Sequence, residues 1–195
     1  MGRVVVTEFV SVDGVIQAPG DPNEYERGGW ATGGGQAGNQ FKFDELMASD
    51  AQLLGRVTYE GFAKAWPSIE GTGVFGEKMN AMPKYVASTT LSEPDWENTS
   101  VLDGDLGAAV TALKDRYDGD ILIAGSAQLV QSLLDLDLVD ELRLMVFPVV
   151  LGKGTRLFGE TSALKPLQLI DSTALQDGVF VLTYRPAADA TADEH

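Results

Sequence analysis

The pattern of the chain changes once, near residue 137, and that change limits its possible folds more than any other feature. Before it, apolar strand-like runs alternate with helical stretches. After it come strand-like runs at 141–151, 167–175 and 179–185 with no helix between them. Strands separated by helices return to a sheet in parallel, whereas strands joined by short turns pair antiparallel. The expected architecture is therefore α/β and three-layered. It has a mixed, mostly parallel central sheet, helices on both faces and a C-terminal antiparallel hairpin.

Arg3-Val4-Val5-Val6-Thr7-Glu8-Phe9-Val10 is β-branched and apolar and reads as the first strand. Residues 11–40 read as a loop rich in Gly, Pro, Asn and Asp, and a loop that long in a compact domain points to function. A helix is expected over 41–49, a buried strand over 51–55, a helix over 56–66 and a strand over 84–87. Leu106, Ala109, Val110, Leu113 and Tyr117 make the apolar stripe of a helix over 105–117, with Asp103 and Asp105 suited to capping it. Asp120 to Gly125 reads as a strand covered on both faces. A helix follows from Ser126, a suitable N-cap, to about Leu136.

No linker or repeat divides the chain, so one domain is expected over 1–186. Residues 187–195 carry three acids and no aromatic residue and are expected to be disordered. The formal net charge of −15 disfavours nucleic acid and anionic membranes as partners. No apolar run is long enough for a membrane span and no signal segment is visible, so a cytoplasmic protein is expected. The absence of cysteine removes disulfides, thiolate catalysis and zinc–thiolate sites. The single histidine, His195, lies in the acidic tail, which leaves none for acid–base work or a metal in the core.

Polar groups suited to an anion stand just past three strands, where ligands of open α/β sheets bind. Gly55-Arg56-Val57-Thr58 joins a strand end to a helix start, where free N–H groups and a guanidinium favour phosphate. Ser88-Thr89 is the second such place and Gly125-Ser126-Ala127 the third. Arg56 is equally readable as an ion-pair residue and Ser126 as a plain cap. Asp13 is open to two readings, a substrate-facing acid or half of an Asp-Gly turn. Trp30 stacks on a flat ligand or plugs its own loop. Gly71–Gly76 and Gly33–Gly38 both spell G-x-G-x-x-G. Neither has the strand-then-helix context of a dinucleotide fingerprint, and both read as flexible loops. Asp44 and Glu45 are expected on a solvated helix face.

Phe9-Val10-Ser11-Val12-Asp13-Gly14-Val15-Ile16, Leu54 to Glu60, Tyr85 to Leu91, Ile121 to Ala127, and Val139 to Leu144 running on to Gly152-Lys153-Gly154 resemble, in this order, the dihydrofolate reductase-like superfamily. The resemblance is strongest to its bacterial branch related to the reductase domain of riboflavin biosynthesis. It implies NADPH as cofactor. Arg56, Thr58, Ser88 and Thr89 would surround the 2′-phosphate. Gly125, Ser126 and Ala127 would hold the pyrophosphate with Gln128 and Leu129 alongside, and the Ile16 backbone would lie near the nicotinamide. Asp13 becomes the candidate catalytic acid. Trp30 and Asn39 become substrate-side residues, because the folate enzymes' substrate carboxylate falls on Asn39-Gln40-Phe41, where this chain has no acid. Met145 stands where those enzymes have a threonine. The expected function is an NADPH-dependent reductase of a pteridine- or pyrimidine-like heterocycle. The alternative is a dinucleotide- or ligand-binding protein without turnover. A homodimer through the C-terminal antiparallel edge is expected for this branch, 141–151 being long and apolar.

Overall fold

The structure, a computed structural model, describes residues 1–160 and 164–187. The tail beyond Ala187, with His195, lies outside the described residues. In chain order the elements are β1 (Arg3–Ser11), α1 (Gly35–Met47), β2 (Ser49–Gly55), α2 (Arg56–Ala65), α3 (Gly73–Ala81), β3 (Lys84–Ala87), β4 (Thr99–Val101), α4 (Leu106–Arg116), β5 (Asp120–Ala124), α5 (Ala127–Asp135), β6 (Glu141–Phe147), β7 (Leu167–Ala174) and β8 (Phe180–Pro186). A single 3₁₀ turn, Trp66–Ser68, follows α2. The sheet order is β4-β3-β2-β5-β1-β6-β8-β7. Pairings from β4 through β6 are parallel, and β8 pairs antiparallel with β6 and β7.

Alternation along β1 sorts the helices into two layers. Val4 and Val6 pack with Val110 and Leu113 of α4 and Val130 and Leu133 of α5. Val5 packs on the opposite face with Leu46 of α1, Tyr59 of α2 and Met79 of α3. A third cluster joins Met145 and Phe147 of β6 to Val179 and Val181, with Phe9, Trp30 and Phe41 half-buried against it. The fold is thus α/β and three-layered, with a mostly parallel sheet and an antiparallel C-terminal end. Among the described residues no helix is long and apolar enough to cross a membrane.

Several local expectations are corrected. Helix α1 begins at Gly35 rather than near 41, and α3 begins at Gly73, so each G-x-G-x-x-G segment enters a helix instead of a free loop. Gly38 of α1 is buried, and a Cβ there would make ordinary contact with Leu175 at 3.5 Å. Gly33, Gly34 and Gly35 have φ of 131°, 75° and 57°, so the glycines of that segment make the left-handed entry to the helix despite their poor helix propensity. The short edge strand β4 carries no sequence pattern. Strand β6 ends at Phe147, one residue before Pro148, which has no N–H for a ladder. It lies between β1 and β8, so 141–151 is not an edge; the antiparallel edge is β7. Asp105 does cap α4, accepting from the Ala108 N–H at 2.9 Å.

Candidate functional site

The β2–β3 register sets Gly55 opposite Ala87, so the first turn of α2 lies beside Ser88 and Thr89. The β5–α5 turn closes on the same corner. A Cβ on Gly55 would stand 2.6 Å from the Ser126 Cβ, and one on Gly125 would stand 3.1 Å from Thr58 Oγ1. These glycines allow backbones to meet that any side chain would hold apart. Gly125 and Ser126 have φ of 89° and 84°. Ser126 makes no side-chain cap, which corrects the capping expectation: its left-handed backbone takes the hydroxyl out of capping geometry. Neither α2 nor α5 has a side-chain cap or an acid in its first turn, although the chain carries 29 acidic residues. Two uncapped, acid-free helix starts at adjacent strand ends form a donor set suited to phosphate oxygens.

The members differ in what they expose. Thr58, Ser88, Gly125 and Ser126 are half-buried, and Arg56, Thr89 and Gln128 are exposed. The Arg56 guanidinium reaches Glu60 at 2.8 Å in an i,i+4 pair, both side chains about half exposed. Such a surface pair is worth only about 0.3–0.5 kcal/mol, so a phosphate could displace the carboxylate. Ser88 Oγ accepts from the N–H groups of Thr90 and Leu91 and shapes the turn past β3. Ala127, Leu129 and Ile16 are core residues. The Ile16 N–H donates to Thr155 O at 2.9 Å. Beside the corner, cavities of about 440 and 400 Å³ run along α2. Glu60, Glu93, Asp95 and Glu97 line them against the single cation Lys64, a net negative charge unsuited to phosphate.

Glu8 lies beneath the Gly125 turn and was not singled out from the sequence. Its Oε1 accepts the Gly125 N–H at 2.8 Å. Burial pushes its pKa up to about 8, with the Gly125 N–H and the Lys42 charge pulling it part of the way back. At neutral pH the carboxyl is mostly protonated, so the turn has an uncharged floor. The signal was there: Glu8 shares the side of β1 that carries Val4, Val6 and Val10.

The other face of β1 presents Thr7 and Phe9 to α1. Lys42 Nζ lies 2.6 Å from Thr7 Oγ1 and 2.6 Å from Glu45 Oε2, and 5.4 Å above the Phe9 ring. Glu45 is buried, not solvated as expected, because Lys42, Thr7 and Arg143 surround it. Asp44 is exposed, as expected. Arg143 continues the network to Asp120 at 2.9 Å and Glu141 at 2.7 Å. Burial raises the Glu141 carboxyl, but Arg143 and Arg185 outweigh it and hold it below its ordinary value.

The candidates of the loop are brought near one another but occupied. Asp13 Oδ1 accepts from Ser11 Oγ at 2.8 Å and the Leu151 N–H at 3.0 Å, and Oδ2 from the Gly152 N–H at 2.8 Å. Arg156 bonds its carbonyl. Those N–H and O–H donors hold the carboxyl at about 2, so it carries no proton to give at neutral pH. The geometry makes Asp13 a clamp between the β1 end and the segment after β6. Trp30 donates its Nε1–H to Gln17 O at 2.8 Å and meets Phe147 edge-on at 5.7 Å, which favours the plug reading. Asn39 is exposed on α1.

The sequence profile of the family described as the RibD C-terminal domain matches residues 3–181. Two proteins of Bacillus subtilis (strain 168) are similar. The uncharacterized protein YyaP is 31% identical over 144 residues, covering 72% of this chain and 76% of its own. The uncharacterized protein YwjB is 30% identical over 171 residues, covering 86% and 88%. Among solved structures, a putative riboflavin biosynthesis protein from Shewanella sp. PV-4 superposes with a TM-score of 0.70 at 21% identity, covering 95% of this chain and 99% of its own. A pyrimidine reductase-like protein from Corynebacterium diphtheriae gives 0.61 at 15%, covering 96% and 92%. A dihydrofolate reductase from Enterococcus faecalis, complexed with NADP(H), gives 0.59 at 18%, covering 95% and 97%. These likenesses show the dihydrofolate reductase-like fold.

Proposed function

The chain belongs to the RibD C-terminal domain family, and from that premise we propose that it is an NADPH-dependent reductase of a small pteridine- or pyrimidine-like heterocycle. The observation that carries this reading is the corner where Gly55, Thr58, Gly125 and Ser126 meet, with two acid-free helix starts above the buried Glu8. Arg56, Thr58, Ser88 and Thr89 are assigned to the 2′-phosphate, and Gly125, Ser126 and the first turn of α5, including Gln128, to the pyrophosphate. Leu129 and Ile16 support that surface from the core. The bound dinucleotide supplies a hydride; the chain supplies position and electrostatics. The half-buried rings of Phe9 and Phe41 suit a flat heterocycle, with Asn39 at the rim and Trp30, held by Gln17 and Phe147, bracing the loop beside them. Asp13 serves as a positioning residue that closes the loop over this face. The cytoplasm is the expected compartment, and a homodimer through β7 the expected assembly.

Titration with NADPH and NADH, read by tryptophan fluorescence, tests the corner. NADPH is expected to bind at least tenfold tighter. Arg56→Ala is expected to remove most of that difference, roughly 1.4 kcal/mol for each tenfold. Equal binding of both dinucleotides by the parent would overturn the 2′-phosphate assignment. NADPH binding with no oxidation by any of a panel of oxidised heterocycles would favour the second reading, a binding protein without turnover. The occupied carboxylate of Asp13 is the observation behind that second reading.

A further inference from the structure

We infer that Lys42 is the proton donor to the substrate, a catalytic residue on α1 that reaches the reacting group across the Phe9 ring. The inference rests on the reductase reading above. An ammonium has three N–H donors and no acceptor. Thr7 Oγ1 and Glu45 Oε2, each at 2.6 Å, take two of them. The side chain of Lys42 is 24% exposed while that of Glu45 is 2% exposed. The pair therefore has a sealed end and an open end, and the lysine is at the open one. Glu45 has a second cation, Arg143, at 3.4 Å, so it is not left unpaired without Lys42. The ammonium lies over the half-buried ring of Phe9, and Phe41 packs against the same apolar cluster as Phe9. A flat apolar wall with one cationic donor at its edge fits a planar ring that carries a nitrogen or oxygen acceptor.

Reduction of such a ring adds a hydride pair to carbon and moves an electron pair onto the neighbouring nitrogen or oxygen. That atom then takes the proton released when a Lys42 N–H bond breaks. The neutral amine regains a proton from water, and a nicotinamide hydride donor is the class of reductant consumed. Glu45 and Thr7 fix the amine's position. The charged group facing it is Glu45 on its own helix, backed by Arg143 from β6; Glu8, on the far side of β1, feels its charge through the sheet.

The test compares the parent with Lys42→Arg, Lys42→Met and the double variant Lys42→Met/Glu45→Gln, the last leaving no new unpaired carboxylate if the single one folds poorly. Lys42→Arg keeps the charge and the bonds to Glu45 and Thr7, but a guanidinium does not release a proton. With a heterocycle that the parent reduces, Lys42→Arg is expected to lose on the order of 10²–10⁴-fold in kcat with KM changed little. The two Met variants are expected to lose kcat similarly. They should also bind lumazine, a pteridine with two carbonyl acceptors, at least tenfold more weakly in the cofactor-free protein. NADPH affinity should stay within twofold in all of them. Full kcat in Lys42→Arg, or unchanged lumazine binding and kcat in the double variant, would reduce Lys42 to a structural cation. Loss of NADPH binding by the parent itself, in contrast, would sink the reductase reading and this inference with it.

Discussion

Glu8 is a carboxyl on an otherwise apolar side of a central strand, and its effect on stability has a definite sign. Its pKa is about 8 in the fold against an ordinary 4.5, so between those values the folded chain holds a proton that the unfolded chain has lost. Stability therefore falls as pH rises from about 4.5 to about 8 and is flat with respect to this group above that. Glu8→Gln keeps an oxygen for the Gly125 N–H and carries no charge. It should flatten this slope and exceed the parent at pH 8, as read from denaturant midpoints at pH 5, 6.5 and 8; parallel curves would remove Glu8 from the account. Asp13 works in a separate window. Its carboxyl is lowered to about 2, so what it contributes is held at neutral pH and lost only as acid approaches that value. At this scale the sequence was half legible. Strand alternation marks Glu8 as anomalous. Nothing local tells that Asp13 meets the N–H groups of Leu151 and Gly152, 138 and 139 residues away, or that Arg143 buries Glu45.

At the scale of elements, the β2–α2 and β5–α5 turns depend on each other. Gly55→Ala would force its new methyl to 2.6 Å from the Ser126 Cβ. One turn must then retreat, and thermal stability and dinucleotide affinity should fall together. Ser126→Gly in the same chain removes the opposing atoms and also relieves a non-glycine φ of 84°, a strain of about 1–3 kcal/mol. The double variant should therefore melt above Gly55→Ala alone, and a melt no higher would show that the two turns do not press on each other. The helices on either side were legible from their apolar stripes, and the strands from β-branched runs. Helices α1 and α3 were not legible at their glycine-rich starts, because Gly33, Gly34, Gly35, Gly71 and Gly73 stand at positive φ and turn the chain into each helix against glycine's poor helix propensity.

For the whole molecule, the alternation that stops near residue 137 was enough to read the layers and the mixed sheet, but not which strand forms the edge. That edge is β7, exposed along all its 8 residues, with Leu169 and Ile170 about half exposed. A long apolar edge invites another strand. Leu169→Lys/Ile170→Lys should convert the proposed dimer to monomer in sedimentation at micromolar concentration; a parent that already sediments as a monomer would dismiss the dimer. The position of β1 has a different consequence. It is the first strand of the chain, yet it sits between β5 and β6 and pairs with residues 117 and more positions later, from Arg3 with Asp120 to Ser11 with Phe147. On the ribosome one of its hydrogen-bonding edges stays open until Ala124 has emerged and the other until Phe147 has. A nascent chain stalled before residue 120 would expose a strand of β-branched residues with no partner, the kind of segment that chaperones shield and that aggregates when they do not.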